Sequence, residues 1–465
     1  MTRLTARPGP DSTLAAAMLT LRPVAPHVRA EDPDPSVPVG WRKARAVLVR
    51  HLVTLALAPV GAVAWLPYLL LRLALPRPPL LAPPLRFLHV ARLVLHAEVP
   101  EPGLPPIDRW ILLLDLGLTL ALAPVQGLAW MLDEVLFARE LARNTVERPL
   151  FEISAWRSGS TRLGHLLCDD PALAAPCLMQ MALPYLWVWR LARVLLGRWV
   201  DRDAVTRRAR ASVPPAFAER HEIDPWRTDT YDVLFYRHQL VPYAMALGPR
   251  IAATEFTHRG ATPDTRALWE EDFVRMLDGL GRRTLAVAGP APDGGPRRFF
   301  LKGHFLAAAP ALAARWPDAA FVAVAREPVA RLRSTLNYLR LSPDFFGLGP
   351  MPWPWIARLA ETELDYARNE QAWFGRGDGV RRCVIPFDDL VRDLPGSLRR
   401  VYREALGRDG PPPEVRREHP PRHHVGAYRL DHALEELGLD PAEIGAAAGP
   451  YLAWIRGLSG PAGPE

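Results

Sequence analysis

A chain of 465 residues, 49% of them hydrophobic, is long enough for two or three domains around a full core. Its formal net charge of +7 suits an anionic cofactor or an anionic membrane surface, whereas no finger spacing, aromatic RNA-binding motif or basic heptad region supports nucleic acid binding. Its cysteines number 3 and form no CxxC pair, which excludes a disulfide framework and favours a reducing compartment.

Residues 1–40 hold many Pro, Asp, Ala and Ser residues without hydrophobic periodicity, so we expect a disordered lead-in. No uninterrupted apolar run follows a basic start in this segment, which argues against a signal peptide.

Residues 41–147 are predicted to form an apolar helical region. An uncharged stretch at 52–71 follows a basic run and is long enough to cross a bilayer of roughly 30 Å. A second apolar stretch at 111–132 is interrupted by Asp115 and Gln126. Both stretches contain Leu-Ala-Leu-Ala-Pro-Val, and proline is expected to break or kink a helix.

Three interpretations of this region stay open. A spanning hairpin would keep both of its ends in the cytoplasm, in agreement with the basic run before the first stretch. The connection between the stretches, however, carries Arg77, Arg86 and Arg92, which argues against moving it across a membrane. An interfacial pair of helices tolerates these arginines at the headgroups, and buried helices of a soluble domain need no membrane. We expect association with the cytoplasmic face of a membrane.

From Arg148 onward, short apolar runs alternate with helical segments, which is typical of an α/β fold. We therefore predict an α/β domain over 148–465 with a parallel sheet and flanking helices. The predicted elements are a strand at 150–154, a helix from 161, a largely helical and irregular region at 175–290, a strand at 298–302, a helix at 306–316, a strand at 320–325, a helix at 329–341, a strand at 383–387 and a helix from 394.

The polar loop after the first predicted strand is a candidate anion site. A helix that starts there presents unpaired backbone N–H groups, and Gly159 lets the backbone approach an oxygen closely. Arg157 adds a forked cation, while Ser160 and Thr161 add hydroxyl groups. The loop lacks the Walker pattern GxxxxGK[ST], and on its own an ordinary capped turn explains it equally simply.

The whole segment 150–163, with Leu166-Leu167 and Asp170-Pro171 after it, resembles the first cofactor motif of the sulfotransferase superfamily, whose members use 3′-phosphoadenosine-5′-phosphosulfate (PAPS). Trp156 stands where proline is usual, and Ser160 stands where threonine is usual. The resemblance implies a fold like that of the nucleotide kinases and PAPS as co-substrate. It also implies a set of residues that bind the phosphosulfate end: Arg157, Ser158, Gly159, Ser160 and Thr161.

A second segment, 321–334, resembles the second cofactor motif of that family. Arg326 is expected to leave the carboxyl edge of the sheet, where open α/β sheets bind ligands. Ser334 is expected two turns into a helix that Pro328 opens. The resemblance implies that Arg326 and Ser334 bind the 3′-phosphate. Because both motifs occur in order, the chain is identified as a member of the family.

Sulfuryl transfer needs positioning, fixed positive charge and a base near neutral pH. Arg157 and Lys302 are our candidates for the charge. His304 is our candidate base, because Lys302-Gly303-His304 resembles the Lys-Thr-His of cytosolic sulfotransferases, whose histidine has that role. The alternatives for the base are His238 and a helical carboxylate group: Glu270, Glu271 and Asp272.

Two weaker resemblances concern the end of the chain. The segment 387–390 is similar to an anchoring motif of the family, and Arg422 and His423 match a late loop that closes over the 3′-phosphate. No metal ligand cluster is found, and the reaction requires no metal. The acceptor is expected to be a small molecule or lipid with a hydroxyl or amine, and the oligomeric state stays open.

Two other functions stay open. A P-loop small-molecule kinase would require ATP and Mg²⁺, but the Walker lysine is missing. A non-catalytic, membrane-anchored nucleotide-binding protein is the second alternative, and Trp156 is the residue that favours it.

Overall fold

The computed structural model describes residues 39–74, 106–195, 201–211, 224–228, 263–339, 359–416 and 433–458. The strands in this part of the chain are β1 Leu150–Glu152, β2 Leu173–Ala174, β3 Arg298–Lys302, β4 Ala320–Ala325 and β5 Arg381–Pro386. The helices before β3 are α1 Val39–Ala74, α2 Pro106–Leu136, α3 Ala138–Arg143, α4 Ser160–Cys168, α5 Leu178–Ala182, α6 Leu186–Leu195, α7 Arg202–Ala211 and α8 Pro263–Ala288. The helices after β3 are α9 Ala309–Arg315, α10 Pro328–Leu339, α11 Leu359–Phe374, α12 Phe387–Arg392, α13 Leu394–Val401, α14 Pro441–Ala447 and α15 Gly449–Leu458.

The described strands form a parallel five-stranded sheet in the order β2-β3-β1-β4-β5. Leu150 of β1 pairs with Phe300 on one side and with Ala320 on the other, so β1 lies at the centre. The strands are almost continuously apolar because helices cover both faces of a parallel sheet. The buried exceptions, Glu152 and Lys302, pair with each other where β1 and β3 end. The strand order reverses around β1, and open α/β sheets bind ligands at such a switch point.

The predicted α/β architecture is therefore confirmed, with local differences. The strands predicted at 298–302 and 320–325 have these bounds in the structure, and the last strand starts two residues early, at Arg381. The sequence did not predict β2, because a strand of 2 residues has no readable periodicity. The helix predicted at 306–316 starts with a 3-10 turn, Leu306–Ala308.

The prolines do not break the two long apolar helices: α1 continues through Pro59 and Pro67, and α2 continues through Pro124. Pro59 and Pro67 lie on the exposed side of α1. Both helices are long and apolar enough to cross a membrane by length and composition.

The two helices run in the same direction. A Cβ atom on Gly61 of α1 would lie 2.1 Å from the carbonyl oxygen of Ala121, and one on Gly127 of α2 would lie 2.1 Å from the ring of Tyr68. Later residues of α1 thus meet later residues of α2. A hairpin requires antiparallel helices, so that interpretation of the region is wrong.

The carboxyl end of α2 is attached to the helices that pack on the sheet. Asp133 is fully buried and accepts hydrogen bonds from the backbone N–H groups of Leu186 (2.7 Å) and Trp187 (2.8 Å). The Nε of Arg283 on α8 donates to the same carboxylate at 2.8 Å, and its guanidinium lies 3.9 Å from the centre of the Trp130 ring. This buried ion pair attaches α2 to the layer of helices that covers the sheet.

Candidate active site

The loop between β1 and α4 has an unusual backbone. Arg157 has φ 58° and Gly159 has φ 94°, with Ser158 between them donating from its hydroxyl to the carbonyl of Ala155 at 2.7 Å. Positive φ at a residue other than glycine is strained and is found mostly at functional sites. No side chain caps α4, so the N–H groups of its first turn face the loop, as in sites that bind anions.

The structure brings the two predicted cofactor motifs into direct contact. The Nε of Arg157 donates to the hydroxyl of Ser334 at 2.9 Å, and the Nη1 of Arg326 donates to the carbonyl of Arg157 at 2.6 Å. Ser160 and Thr161 form the first turn of α4 beside them. Residues more than 160 positions apart in sequence therefore form one cationic cluster at the carboxyl end of the sheet.

The electrostatics of this cluster favour an anion. Burial, and next the charge of Arg157, lower the pKa of Arg326 from its ordinary value. A lowered pKa means that the charged form of Arg326 is destabilised in the protein without a ligand. A bound phosphate or sulfate would relieve that penalty, because charge-assisted bonds to guanidinium groups are strong.

Phe387, the first residue of α12, connects the two motifs. The guanidinium of Arg326 lies 4.3 Å from the centre of its ring, and a Cβ atom on Gly159 would lie only 3.0 Å from it. Gly159 is therefore required both for its left-handed backbone and for this close approach. Sequence reasoning treated 387–390 as a structural anchor and missed this contact; the aromatic residue directly after β5 was the available signal.

Lys302 lies behind the loop, against a buried carboxyl group. Its side chain is 1% exposed, and the lack of a side chain on Gly164 of α4 makes room for it: a Cβ atom there would lie 2.7 Å from its Cδ. Burial raises the pKa of Glu152 to about 7, against the opposing charge of Lys302 and a short hydrogen bond from the Ser154 hydroxyl. The sequence analysis missed Glu152 and Ser154, because a lone carboxylate at a strand end has no distinctive signature.

His304 lies against the same loop. Its Nδ1 is 2.8 Å from the carbonyl oxygen of Ser154, which accepts a hydrogen bond from the Nδ1–H. In a neutral ring with its proton on Nδ1, the basic lone pair is on Nε2. The Tyr366 hydroxyl donates to the carbonyls of Ile153 and Ser154, at 3.1 and 3.2 Å, and so fixes the group that orients the imidazole. Trp156 meets the imidazole edge to face, with ring centres 5.7 Å apart.

Of the other base candidates, Glu271 has a partner on its own helix, and His238 lies outside the described residues. Glu271 is exposed and pairs with Arg275 one turn away, as expected for a solvated helix face. His238, Arg422 and His423 are outside the described residues. Within the part of the chain that the structure describes, no group of three or more His, Cys, Asp or Glu side chains is arranged to hold a metal ion.

The model of the sulfotransferase family matches residues 149–408, which include every element of this site. Sulfotransferase STF1 from Mycobacterium tuberculosis is a similar solved structure, with a TM-score of 0.54 and 19% identity over 79% of this chain and 91% of that one. Sulfotransferase STF9 from Mycobacterium avium has a TM-score of 0.54 and 18% identity over 82% of this chain and 98% of that one. No curated protein matches the sequence.

Proposed function

The chain belongs to the sulfotransferase family, and we propose that it transfers a sulfonate group from PAPS to a hydroxyl or amine of a small-molecule or lipid acceptor. The observation that carries this proposal is the contact of Arg157 with both Ser334 and Arg326. This contact joins the Arg157 loop, which suits a phosphosulfate group, to Arg326 and Ser334, which suit a phosphate dianion. We place the reaction in a reducing cytoplasm, which the three free thiols of Cys168, Cys177 and Cys383 support.

The described residues fit such a donor. The N-terminus of α4 and the Arg157 guanidinium would hold its 5′ end, with Ser158, Gly159, Ser160 and Thr161 around it. Arg326 and Ser334 would hold the 3′-phosphate through a guanidinium fork and a neutral donor. The positive φ of Arg157 supports this assignment, because strain in a loop persists where function requires the geometry.

PAPS, when bound, supplies a sulfuryl group whose bond to the bridging phosphate oxygen is weak. The acceptor oxygen or nitrogen forms the new S–O or S–N bond while that S–O bond breaks, and the electron pair leaves with the nucleotide. His304 Nε2 accepts the proton of the acceptor, and the Ser154 carbonyl holds the ring in the tautomer this needs. Arg157 and Lys302 stabilise the charge that develops on the leaving oxygen.

A nucleotide titration tests the donor class. We expect isothermal calorimetry of the full chain to show binding of 3′-phosphoadenosine 5′-phosphate, with affinity at least about tenfold above that of adenosine 5′-phosphate, since Arg326 and Ser334 meet the extra phosphate. ATP with Mg²⁺ serves as the competing ligand. Binding of Mg²⁺-ATP without binding of the 3′-phosphate nucleotide would replace this proposal by the kinase alternative.

A further inference from the structure

The outward face of α1 is apolar along its length. Its side chains recur every three or four residues, with the exposed Pro59 between Leu55 and Val63. The leucine and valine side chains of this row are each at least 58% exposed: Leu48, Leu52, Leu55, Val63, Leu66, Leu70 and Leu73. This face is about 38 Å long at the rise of an α-helix. The opposite face of α1, with Gly61, Ala64 and Tyr68, is buried. A helix on a water-exposed surface normally shows the reverse pattern, with its polar side outward. Exposed apolar surface of this extent marks a binding site for a partner or a membrane.

The breadth of this face favours lipid over a partner helix. Val49, Val60 and Leu71 on one side of the row, and Leu69 on the other, are also 40% or more exposed. A coiled-coil seam is narrower and has charged residues at its edges. Pro59 also lies in the middle of the row, and its compact ring replaces the long side chain that a coiled-coil seam inserts into a second helix. The fluid interior of a bilayer accepts a broad and irregular apolar surface.

The charges of α1 indicate that the lipid surface is anionic. Its charged residues are all basic: Arg42, Lys43, Arg45 and Arg50 lie in the first third of the helix and Arg72 lies in its last turn. At the amino end, Arg45 is exposed and the Trp41 side chain is 66% exposed, as expected where a helix meets lipid headgroups. A basic helix with an apolar face binds anionic bilayers through both properties.

The parallel arrangement of α1 and α2 argues against both helices spanning a membrane. The ring of His51 lies 6.0 Å from that of Trp110 near their amino ends, and Tyr68 meets Gly127 further along. If both helices spanned, residues 75–105 would have to cross a third time, from the end of α1 back to the start of α2. That segment carries Arg77, Arg86, Arg92, Glu98 and Glu101, which a bilayer interior disfavours.

We propose that the outer face of α1 docks the protein peripherally on an anionic lipid bilayer, with α2 and the catalytic core behind it. The bond between Asp133 and Arg283 keeps α2, and therefore α1, attached to that core. This inference goes beyond the transfer reaction and does not depend on it, since it rests only on the surface and packing of α1.

Vesicle flotation of the full chain tests the docking. We expect the protein to float with vesicles of phosphatidylglycerol and phosphatidylcholine and much less with phosphatidylcholine alone. The double variant Leu55→Glu, Leu66→Glu should lose about tenfold or more of the floating fraction. The matched control is Leu191→Glu, Val194→Glu, which places the same charges on exposed apolar residues of α6 and should float like the wild type. If the double variant loses helical circular dichroism, Val63→Gln replaces it, because that side chain is 77% exposed.

Three outcomes would overturn the proposal. The first is equal flotation of the double variant and the wild type. The second is wild-type protein that resists extraction from the vesicles by alkaline carbonate, which would make α1 a spanning helix. The third is wild-type protein that does not bind vesicles. If that protein sediments as a dimer and the double variant as a monomer, the outer face of α1 contacts a second copy of this chain instead of lipid.

Discussion

Arg326 contacts the rest of the site in two ways that a strand-end arginine on the surface would not. It donates to the carbonyl of Arg157, and it lies over the ring of Phe387. A single side chain thus holds the loop of Arg157 in its strained form, and under the proposed function the same guanidinium would meet the 3′-phosphate.

We expect Arg326→Ala to weaken binding of 3′-phosphoadenosine 5′-phosphate by about 2 kcal/mol or more, roughly thirtyfold in Kd, because a charge-assisted bond and the loop anchor are lost together. Calorimetry measures this loss. Arg333→Ala, an exposed arginine on α10, is the matched control and should bind like the wild type. Equal binding by the Arg326 variant would remove the 3′-phosphate assignment.

His304 should be needed for turnover and not for nucleotide binding. We expect His304→Ala to lower kcat by about 100-fold to 10,000-fold, the usual contribution of a general base, while the Kd for 3′-phosphoadenosine 5′-phosphate changes less than about threefold. A pH profile of kcat should lose its acidic limb in the variant. A fully active variant would show that the base is another group.

Two buried carboxyl groups should make the folded protein less stable as the pH rises. Burial raises the pKa of Glu152 and of Glu370 from 4.5 to about 7. Both groups stay protonated in the folded state while they ionise in the unfolded chain, so stability is highest below the unfolded pKa. It falls by up to about 3 kcal/mol per group toward the folded pKa, and little more above it.

Urea unfolding from about pH 4 to about pH 8 measures this slope. We expect Glu152→Gln to flatten it, so that the variant gains stability relative to the wild type as the pH rises. Glu271→Gln, at an exposed position on α8, should leave the slope unchanged. A wild-type stability that rises through this window would contradict the buried, neutral state of Glu152.

At the scale of elements, α10 carries Ser334 to the site and is held there by a buried hydrogen-bond network around the ion pair of Arg331 and Glu363. Arg331 is fully buried; its Nε donates in a short bond to Glu363, and its Nη2 donates to the Glu363 carbonyl at 3.1 Å. Glu370, which accepts a short bond from the Tyr451 hydroxyl, lies 3.8 Å from Arg331. The network connects α10 to α11 and α15.

We expect Arg331→Ala to lower the free energy of unfolding by about 3–5 kcal/mol, because it leaves Glu363 buried without its cation. Urea denaturation measures this effect. Arg333→Ala, two positions away and exposed, should change stability by less than about 0.5 kcal/mol. A similar small change in both variants would mean that water or another cation replaces Arg331.

The limits of sequence reasoning are clear in particular elements. β4 was predicted with its observed bounds because its six buried apolar residues belong to an apolar run between Asp318 and Arg326. The motif positions Arg157, Arg326 and Ser334 were likewise readable, since each carries a local pattern. Tyr366 was not, because its role depends on a hydrogen bond to a carbonyl 212 residues earlier in the chain.

At the scale of the whole molecule, the apolar amino-terminal region is part of the same body as the site. The sequence predicted two apolar helices, but hydropathy does not determine their relative direction. Their close parallel packing requires glycine at positions 61 and 127. Since α2 is bound to the core through Asp133, a lipid surface on α1 would hold the catalytic domain beside the bilayer.

The transfer of radiolabelled sulfur from PAPS tests the central claim most directly. The full chain, with anionic vesicles and a lipid and small-molecule extract as acceptors, should give a labelled product that gains one SO₃ group by mass spectrometry. His304→Ala and Arg326→Ala should abolish it and Arg333→Ala should retain it. A protein that binds 3′-phosphoadenosine 5′-phosphate yet labels no acceptor, or labels the same product without His304 and Arg326, would contradict the account.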